Sequence, residues 1–324
     1  MAKDNNYEGK MNILVLGGGG FIGSAIVDKL LENGFSVRVF ERQGILPYRV
    51  FLRSESIEWI TGDWQNHYDL SNALENIDVV IHLISTTVPK SSNDDLIYDI
   101  QSNVIPTLQM LELAKLKKTK KIIFISSGGT VYGTPQYIPI DEKHPTNPIV
   151  SYGISKLTIE KYLLMFEKLY GIQSKILRVS NPYGRRQNPE KAQGAIDVFL
   201  YKALKNEKIT IWGDGEIIRD YIYIDDVADA FIKTLKYTGQ ERIFNIGAGQ
   251  GVSLNELIKK IELVLGNKIQ KEYLAGRSFD VPKNILDISL AKKELNWSPT
   301  INTEKGLANT VIWMKDKIFK KEIK

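Results

Sequence analysis

The sequence contains no cysteine and only three histidines among its 324 residues. The absence of cysteine excludes disulfide bonds, thiolate metal sites, iron–sulfur clusters and a cysteine nucleophile. His67, His82 and His144 lie far apart and lack the spacing of metal ligands, so we do not expect a zinc enzyme. No apolar run reaches the roughly 20 residues that a membrane helix needs. We therefore expect no metal site and no membrane insertion.

The charge balance is only slightly basic, with 43 Lys and Arg against 38 Asp and Glu and a formal net charge of +5. This excess is small for the length of the chain, and no basic–aromatic stripe accompanies it, so we do not expect nucleic-acid binding. It permits an anionic substrate. The first ten residues are polar and predict a disordered leader without an apolar signal core. We expect a cytoplasmic protein.

Short β-branched runs alternate with amphipathic stretches in the first half of the chain. The pattern predicts strands over residues 11–16, 35–41, 57–60, 78–83, 121–126 and 175–179, and long helices over residues 94–116 and 152–170. Continuous apolar strands joined by helices predict an α/β fold with a Rossmann-like, doubly wound parallel sheet. The alternation ends near residue 180. We predict a first domain over residues 11–180 and a smaller second domain mainly over residues 181–324, with elements from about 219–247 returning to the first.

Gly17, Gly20 and Gly23 form a GxxGxxG motif directly after the first predicted strand. Glycines at these positions let the chain turn tightly, bring backbone N–H groups close to a pyrophosphate and allow the helix to pack on the strand. A glycine triplet alone is a weak indication. Its place at the first β–α turn of a parallel sheet predicts a dinucleotide site.

Glu41 ends the second predicted strand, eighteen residues after Gly23. A carboxylate there accepts both ribose hydroxyls of adenosine and repels a 2′-phosphate, so the site is expected to prefer NAD over NADP. Arg42 is a competing indication, because a guanidinium can hold that phosphate. A solvated strand end is the alternative for Glu41. Asp63, after the third strand, can meet the adenine amine or serve as a turn residue.

Tyr152 and Lys156 lie four residues apart at the start of a predicted helix, so both project from one face. A free phenol has a pKa of about 10 and is a poor base at pH 7. A nearby ammonium and the positive nicotinamide ring favour tyrosinate, so we expect the pKa of Tyr152 to fall by roughly 1–3 units. The spacing recurs at Tyr201 and Lys205, but only the first pair follows a Ser/Thr-rich strand end, at residues 126–133. An ordinary helix-face tyrosine is the alternative for Tyr152.

Several motifs occur in the order that is typical of one family. They are GxxGxxG, the acidic end of the second strand, SSGGTVYG, YGISK and WGDGEIIRDYIYIDDVA. Over roughly residues 11–315 the chain resembles the extended short-chain dehydrogenase/reductase enzymes of the NAD-dependent epimerase/dehydratase family, and within it the nucleotide-sugar enzymes similar to UDP-glucose 4-epimerase. The resemblance implies a tightly held NAD, with Tyr152 as base and Lys156 as its partner. It also implies cofactor contacts from Phe21, Ile22, Trp64, Leu83, Ser85, Asn103 and Ser126.

The resemblance further implies that the second domain binds a UDP-sugar. Arg219 and Arg277 would hold the diphosphate, since planar guanidinium forks bind its oxygens bidentately. Asn284 would face the hexose, where its intermediate size leaves both the Glc/Gal and the GlcNAc/GalNAc pairs open. The other substrate contacts that it implies are Asn181, Tyr221 and Asp280.

One departure from the family pattern concerns the substrate hydroxyl contact. Gly128 stands where the best-known epimerases carry a serine, so the hydroxyl that bridges the sugar O4 comes from Ser127 or Thr130, and we favour Thr130. No Asp or Glu occurs at residues 128–130. Removal of a C5 proton needs such a base, so dehydration of the sugar is disfavoured.

The function implied is an NAD-dependent 4-epimerase that inverts C4 of a UDP-hexose or UDP-N-acetylhexosamine through a 4-keto intermediate. A 4-keto nucleotide-sugar reductase and a non-catalytic NAD-binding scaffold are the alternatives. The two long predicted helices carry more apolar positions than one sheet-facing stripe requires. The family resemblance interprets these positions as a homodimer joined by a four-helix bundle. They include Ile97, Ile100, Leu108, Leu111, Tyr162, Leu163, Met165 and Phe166.

Overall fold

The structure, a computed structural model, describes residues 11–188, 194–276 and 281–322. Its strands are β1 Asn12–Leu16, β2 Ser36–Glu41, β3 Ile57–Thr61, β4 Val79–His82, β5 Lys121–Ser127, β6 Gln173–Val179, β7 Asn181–Tyr183, β8 Ile209–Trp212, β9 Ile218–Tyr223, β10 Ile243–Ile246, β11 Gly251–Ser253, β12 Lys271–Leu274 and β13 Lys283–Asn284. Its α-helices are α1 Phe21–Glu32, α2 His67–Ala73, α3 Leu96–Asp99, α4 Ile105–Leu116, α5 Ser151–Tyr170, α6 Ala195–Leu204, α7 Ile224–Lys236, α8 Leu254–Leu265, α9 Ser289–Leu295 and α10 Thr303–Glu322.

Seven strands form one sheet in the order β10-β6-β5-β4-β1-β2-β3. Strand β1 lies inside it, where Val15 pairs in parallel register with Val39 of β2 and Ile81 of β4. Residues 13–16 have no exposed surface, as expected for an apolar strand whose sheet is covered by helices on both faces. The doubly wound α/β fold predicted from the alternation of strands and helices is confirmed.

The helix predicted over residues 94–116 is interrupted. Helix α3 is followed by a π-helical turn, Ile100–Val104, before α4 begins. Pro106 has no backbone N–H, so it cannot donate to the carbonyl of Ser102 one turn earlier. The indole of Trp64 donates to that carbonyl instead, at 3.2 Å. The indole thereby supplies a donor for the Ser102 carbonyl, which the proline cannot provide, at the wider π-helical turn.

The chain forms two compact units. The first comprises the described residues up to Ser126 together with Val150–Leu177 and Thr234–Arg242. The second comprises Ser127–Ile149, Arg178–Lys233 and the described residues after Arg242. The chain passes from the first unit to the second between Leu177 and Arg178, close to the predicted domain boundary at residue 180. Residues 127–149 were expected in the first domain but group with the second unit.

Asn245 gives the physical reason for this grouping. Its side chain donates to the carbonyl of Ile140 at 2.8 Å and accepts the hydroxyl of Tyr132 at 2.7 Å. Its backbone N–H donates to Glu142 at 2.7 Å. Residues 127–149 are thereby tied to strand β10 through one buried amide.

A buried carboxyl group organises the second unit. Asp220 of β9 accepts the N–H groups of Ala248, Gly249 and Leu286 at 2.7, 3.2 and 3.3 Å, and the Ser180 hydroxyl at 3.3 Å. Burial raises the pKa of Asp220 to about 6. The side chain links four separate chain segments, so the positions of β9 and its neighbours depend on it.

Among the described residues no helix is long and apolar enough to cross a membrane.

We expect Asp220→Ala to lower the free energy of unfolding by roughly 2–5 kcal/mol, because three backbone N–H groups and a hydroxyl lose a buried acceptor. Chemical denaturation measures the change. Glu207→Ala removes an exposed carboxylate of the same unit and is expected to change the free energy by less than about 0.5 kcal/mol. An equal loss in the two variants would contradict the organising role of Asp220.

Candidate active site

The glycine loop brings the start of α1 close to the end of β1. Gly17 has φ +84°, in the left-handed region that favours glycine. A Cβ atom on Gly23 would lie 2.1 Å from the carbonyl oxygen of Gly17, so no side chain fits there. Gly20 is the N-cap of α1, and Phe21 and Ile22 form its first turn, both half-buried. The loop therefore presents backbone N–H groups at the carboxyl end of the sheet.

Glu41 lies beside this loop. Its Oε2 accepts the N–H of Gly19 at 3.2 Å, and a Cβ on Gly19 would lie 3.1 Å from the same oxygen. Arg42 is exposed. Asp63 accepts the N–H of Gln65 at 2.9 Å, which is the geometry of a turn residue. A cradle that a Cβ would fill, with a half-buried carboxylate at its rim, fits the phosphates and the adenosine ribose of NAD.

Other predicted cofactor residues lie on or near neighbouring strands of this unit. Leu83 follows β4, and its N–H donates to the carbonyl of Leu16 at 3.1 Å. The hydroxyl of Ser126, near the end of β5, donates to the carboxylate of Glu160 on α5 at 2.5 Å. Trp64 is buried, and its ring lies 5.0 Å from that of His82. The indole is thus part of the core, and any contact of Trp64 with a ligand would come from its backbone.

The start of α5 is capped from another segment. Val150 at the N-cap has no capping side chain. The N–H groups of Ser151 and Tyr152 donate instead to Asn93 Oδ1 at 2.9 Å and Ser92 Oγ at 3.0 Å, both in a short 3-10 helix, Ser91–Asn93. These bonds satisfy two of the unpaired donors of the first turn and fix the place of Tyr152.

Lys156 is buried behind Tyr152. Its Nζ donates to the carbonyl of Ile125 at 3.1 Å and lies 4.7 Å from the ring centroid of Phe124 and 5.6 Å from that of Tyr152. Burial lowers the pKa of Lys156 to about 8, although Asp99 and Glu160 act in the opposite direction. The ammonium therefore donates to a backbone carbonyl and lies within cation–π range of the Tyr152 ring.

The expected fall in the pKa of Tyr152 does not occur in the protein alone. Burial raises it to about 12, a hydrogen bond with the Ser85 side chain acts to lower it, and the Asp99 carboxylate raises it further. Removing the phenolate from water outweighs its hydrogen bond. The phenol of Tyr152 is thus neutral near pH 7 in this state of the protein.

Asn103 holds the loop after β4, which carries Ser85. Its Oδ1 accepts the N–H of Thr86 at 2.9 Å, and its Nδ2 donates to the carbonyl of Asp99 at 3.0 Å. The loop also adjoins the glycine motif, because a Cβ on Gly17 would lie 3.3 Å from Cγ1 of Ile84. The loop after β4 therefore lies beside the glycine motif and carries Ser85, whose side chain acts on the pKa of Tyr152.

Sequence patterns do not reveal two buried acids of this site, Asp99 and Glu160. Asp99 is fully buried and Glu160 is 1% exposed, and both act on Lys156. An acidic residue within a helical pattern is ordinarily on the solvent face, so the sequence offers no indication of either role. The packing of α3 and α5 against the sheet puts both carboxylates inside.

In the second unit, strand β9 aligns several predicted substrate residues. Asn181 of β7 pairs with Tyr221, and Asn284 of β13 pairs with Arg219. Arg219 Nη1 donates to the carbonyls of Val281 at 2.6 Å and Ile218 at 3.0 Å. Tyr221 is largely buried. The predicted substrate residues Arg277 and Asp280 lie outside the described residues.

The presence of glycine instead of serine at position 128 has a steric explanation. A Cβ on Gly128 would lie 2.5 Å from Cδ1 of Leu286, so this chain has no room for a serine there unless Leu286 moves. Thr130 Oγ1 and Asn284 Oδ1 are buried and have no hydrogen-bond partner among the residues described. Ser127 ends β5 and is half-buried. Two polar atoms of this unit thus remain available for a ligand.

The fold and the glycine loop define an enzyme of the dinucleotide-binding, Rossmann-like class. The model of the NAD-dependent epimerase/dehydratase family matches residues 13–247, and the chain belongs to that family.

Three known proteins illustrate what the chain is similar to. UDP-glucose 4-epimerase of Mycolicibacterium smegmatis is 33% identical over 312 residues, which cover 95% of this chain and 99% of that protein. The dTDP-4-dehydro-6-deoxyglucose reductase of Escherichia coli is 36% identical over 311 residues, 92% of this chain and 96% of that one. The crystal structure of UDP-glucose 4-epimerase from Thermotoga maritima with UDP-glucose matches with a TM-score of 0.89 at 35% identity, covering 95% of this chain and 100% of that one.

We expect Gly23→Ala to weaken NAD binding at least roughly tenfold, because the added Cβ forces α1 away from the carbonyl of Gly17. Calorimetric titration or the NAD content after gel filtration measures the effect. Glu32→Ala, at the other end of α1, removes a side chain that is 56% exposed and is expected to leave the affinity unchanged. Wild-type affinity in Gly23→Ala would refute the close-approach argument.

Proposed function

We propose that this protein is an NAD-dependent UDP-sugar 4-epimerase, an isomerase that inverts C4 of a UDP-hexose or UDP-N-acetylhexosamine. One observation carries the proposal. The loop after β4 lies beside the glycine motif at Ile84, and its Thr87 donates to the same Asp99 carboxylate as Ser151, the residue before Tyr152. The phenol proposed to transfer the proton is therefore tied to a loop that adjoins the glycine motif proposed to hold NAD, as an oxidation at a sugar hydroxyl requires. Membership of the family supports the same conclusion.

In this mechanism Tyr152 takes the proton of the substrate's 4-hydroxyl and later returns it. NAD, when bound, would supply the redox chemistry, which is reversible transfer of hydride at C4 of the sugar. Lys156 provides the positive charge that favours tyrosinate, and its burial prevents water from screening that charge. Glu41 and the loop around Gly17, Gly20 and Gly23 would hold the cofactor.

We propose that the first unit binds NAD and that the second unit holds the UDP-sugar. Thr130, or Ser127 beside it, contacts O4, and the free Oγ1 of Thr130 supports the first choice. Asn284 faces the hexose, and its buried, unpartnered Oδ1 suits a sugar hydroxyl or an N-acetyl N–H. The remaining substrate contacts in this proposal are Asn181, Arg219, Tyr221, Arg277 and Asp280. The cytoplasmic location stays a prediction.

A second candidate function is a 4-keto nucleotide-sugar reductase. It is favoured by the 36% identity to the Escherichia coli reductase. The same Tyr–Lys pair serves both reactions, and the difference is whether the reduced cofactor is consumed. An epimerase retains its NAD and shows no net change in nicotinamide absorbance, whereas a reductase consumes the reduced form.

We expect the protein to convert at least one of UDP-glucose, UDP-N-acetylglucosamine and UDP-glucuronate to its 4-epimer when each is supplied separately and the products are resolved by chromatography. Tyr152→Phe is expected to lower kcat by at least about 100-fold, because the proton acceptor is lost.

The matched control is Tyr201→Phe, which alters the other Tyr-x-x-x-Lys pair, where Lys205 Nζ lies 4.5 Å from the ring. This variant is expected to keep wild-type turnover. No 4-epimer from any of the three sugars, together with oxidation of added NADH by a 4-keto sugar nucleotide, would favour the reductase.

We also propose a homodimer through helices α3, α4 and α5. Ile97, Ile100 and Ile105 are 64%, 45% and 44% exposed, and α5 presents Ile154 and Met165, at 53% and 39%. The apolar positions named from the sequence are only partly on this face. Among them Leu111, Leu163 and Phe166 are buried in the core, because they form the sheet-facing stripe. Exposed apolar side chains on neighbouring helices are typical of a two-fold helix interface.

We expect the double variant Ile97→Lys/Ile100→Lys to sediment as a monomer at micromolar concentration, because four lysines would meet across a two-fold interface. Leu263→Lys, on α8 in the second unit, changes a leucine that is 82% exposed and is expected to leave the dimer intact. A monomeric wild type under the same conditions would reject the dimer.

A further inference from the structure

Asp99 accepts four side-chain hydrogen bonds in the core of the first unit. Its Oδ2 accepts the hydroxyls of Ser151 at 2.8 Å and Ser155 at 2.7 Å. Its Oδ1 accepts the hydroxyl of Thr87 and the Nδ2 of Asn103, the latter at 3.2 Å. The carboxyl group is fully buried and forms no salt bridge among the described residues. Burying a carboxylate that is hydrogen-bonded only by neutral donors costs free energy, so a functional role for Asp99 is expected.

The donors come from the two elements that carry the proton-transfer pair. Ser151 and Ser155 flank Tyr152 and Lys156 on the first turns of α5. Thr87 lies in the loop after β4, two residues after Ser85, and its carbonyl accepts the Ser85 hydroxyl at 3.0 Å. One carboxylate thus joins the helix that bears Tyr152 to the loop that bears Ser85.

Asp99 also supplies charge to Lys156. The groups around this ammonium are Asp99 from α3, Tyr152 and Glu160 from α5, and His82 from β4. Burial and the Lys156 charge lower the pKa of His82 to about 3, so it is neutral. The two carboxylates raise the pKa of Lys156 against the larger effect of burial. Both negative charges favour the protonated form of the amine.

We propose that Asp99 is a positioning residue for proton transfer, which ties the Tyr152 helix to the Ser85 loop and helps to retain the Lys156 ammonium. The catalytic part of this inference rests on the proposed epimerase function. The local part, the effect on Lys156, does not depend on turnover.

Asp99→Asn separates the two contributions. The amide retains one oxygen for Thr87 and Asn103, and the hydroxyls of Ser151 and Ser155 can rotate to accept from its NH₂ group. Shape and hydrogen bonding are kept, whereas the negative charge is lost. Because that charge raises the pKa of Lys156, its removal lowers the pKa, and the amine loses its proton at lower pH.

The test is trace acetylation of the protein as a function of pH, with each lysine followed by mass spectrometry of its peptide. In Asp99→Asn the labelling midpoint of Lys156 is expected to move to lower pH. Lys175 is the internal control, because burial lowers its pKa to about 8 as well, while its Nζ donates to the carbonyls of Gly239 and Glu241. Its midpoint should not move. An unchanged Lys156 midpoint would overturn the proposal.

Turnover provides the second measurement. In Asp99→Asn we expect kcat to fall at least about tenfold, with KM for the UDP-sugar changed much less and the alkaline limb of the kcat profile moved to lower pH. If wild type epimerises none of the UDP-sugars while the Lys156 midpoint still moves, the proposed function fails and the local role of Asp99 stands. A wild-type kcat profile in an active Asp99→Asn protein overturns the positioning role.

The variant Ser151→Ala/Ser155→Ala covers the case in which Asp99→Asn does not fold. It removes the two hydroxyls that join α5 to Asp99 and keeps the carboxylate. We expect kcat to fall while the pH midpoint of Lys156 labelling stays at its wild-type value. A folded double variant with wild-type kcat would overturn the proposed tie between α5 and the loop.

Discussion

A buried ammonium needs negative charge close to it, and this requirement shapes the first unit. Lys156 is 4% exposed, and the acids that act on it, Asp99 and Glu160, are equally shielded from water. Each acid in turn needs donors, which come from the serines of α5, from Thr87 and from Ser126. Satisfying one charge therefore fixes the start of α5, the loop after β4 and the end of β5. These three elements surround the residues that are proposed to transfer the proton.

In the second unit a buried acid is stabilised mainly by backbone N–H donors. Asp220 accepts three N–H groups and one hydroxyl from separate segments, and in doing so it fixes strand β9. Arg219 and Tyr221 are its direct neighbours in sequence, and Asn181 and Asn284 are their partners on adjacent strands. The predicted substrate residues are thus arranged around a structural acid. In both units the acid is buried and the groups proposed to meet ligands are next to it.

Sequence patterns predicted the parts of the fold that follow from local spacing. The strands of the parallel sheet, the glycine loop with Glu41, and the Tyr152–Lys156 pair all depend on residues near one another in the chain. The sequence predicted less where distant groups meet. The predicted continuous helix is interrupted before Pro106, where the indole of Trp64 from another segment donates to the carbonyl of Ser102. In the protein without cofactor the pKa of Tyr152 is raised because the surrounding elements exclude water, a quantity that no local pattern records.

The sequence by itself determined the fold class and the places of the glycine loop and of the Tyr152–Lys156 pair in it, because periodicity and short spacing are properties of neighbouring residues. The tertiary structure decided which polar groups are buried and what each one meets. Only packing shows that Asp99 and Glu160 lie inside and that Leu286 occupies the space a serine at position 128 would need. It also shows that an oxygen of Thr130 and one of Asn284 have no hydrogen-bond partner within the described part of the chain. Burial and long-range contact arise from the whole fold, and they set the charges with which this site works.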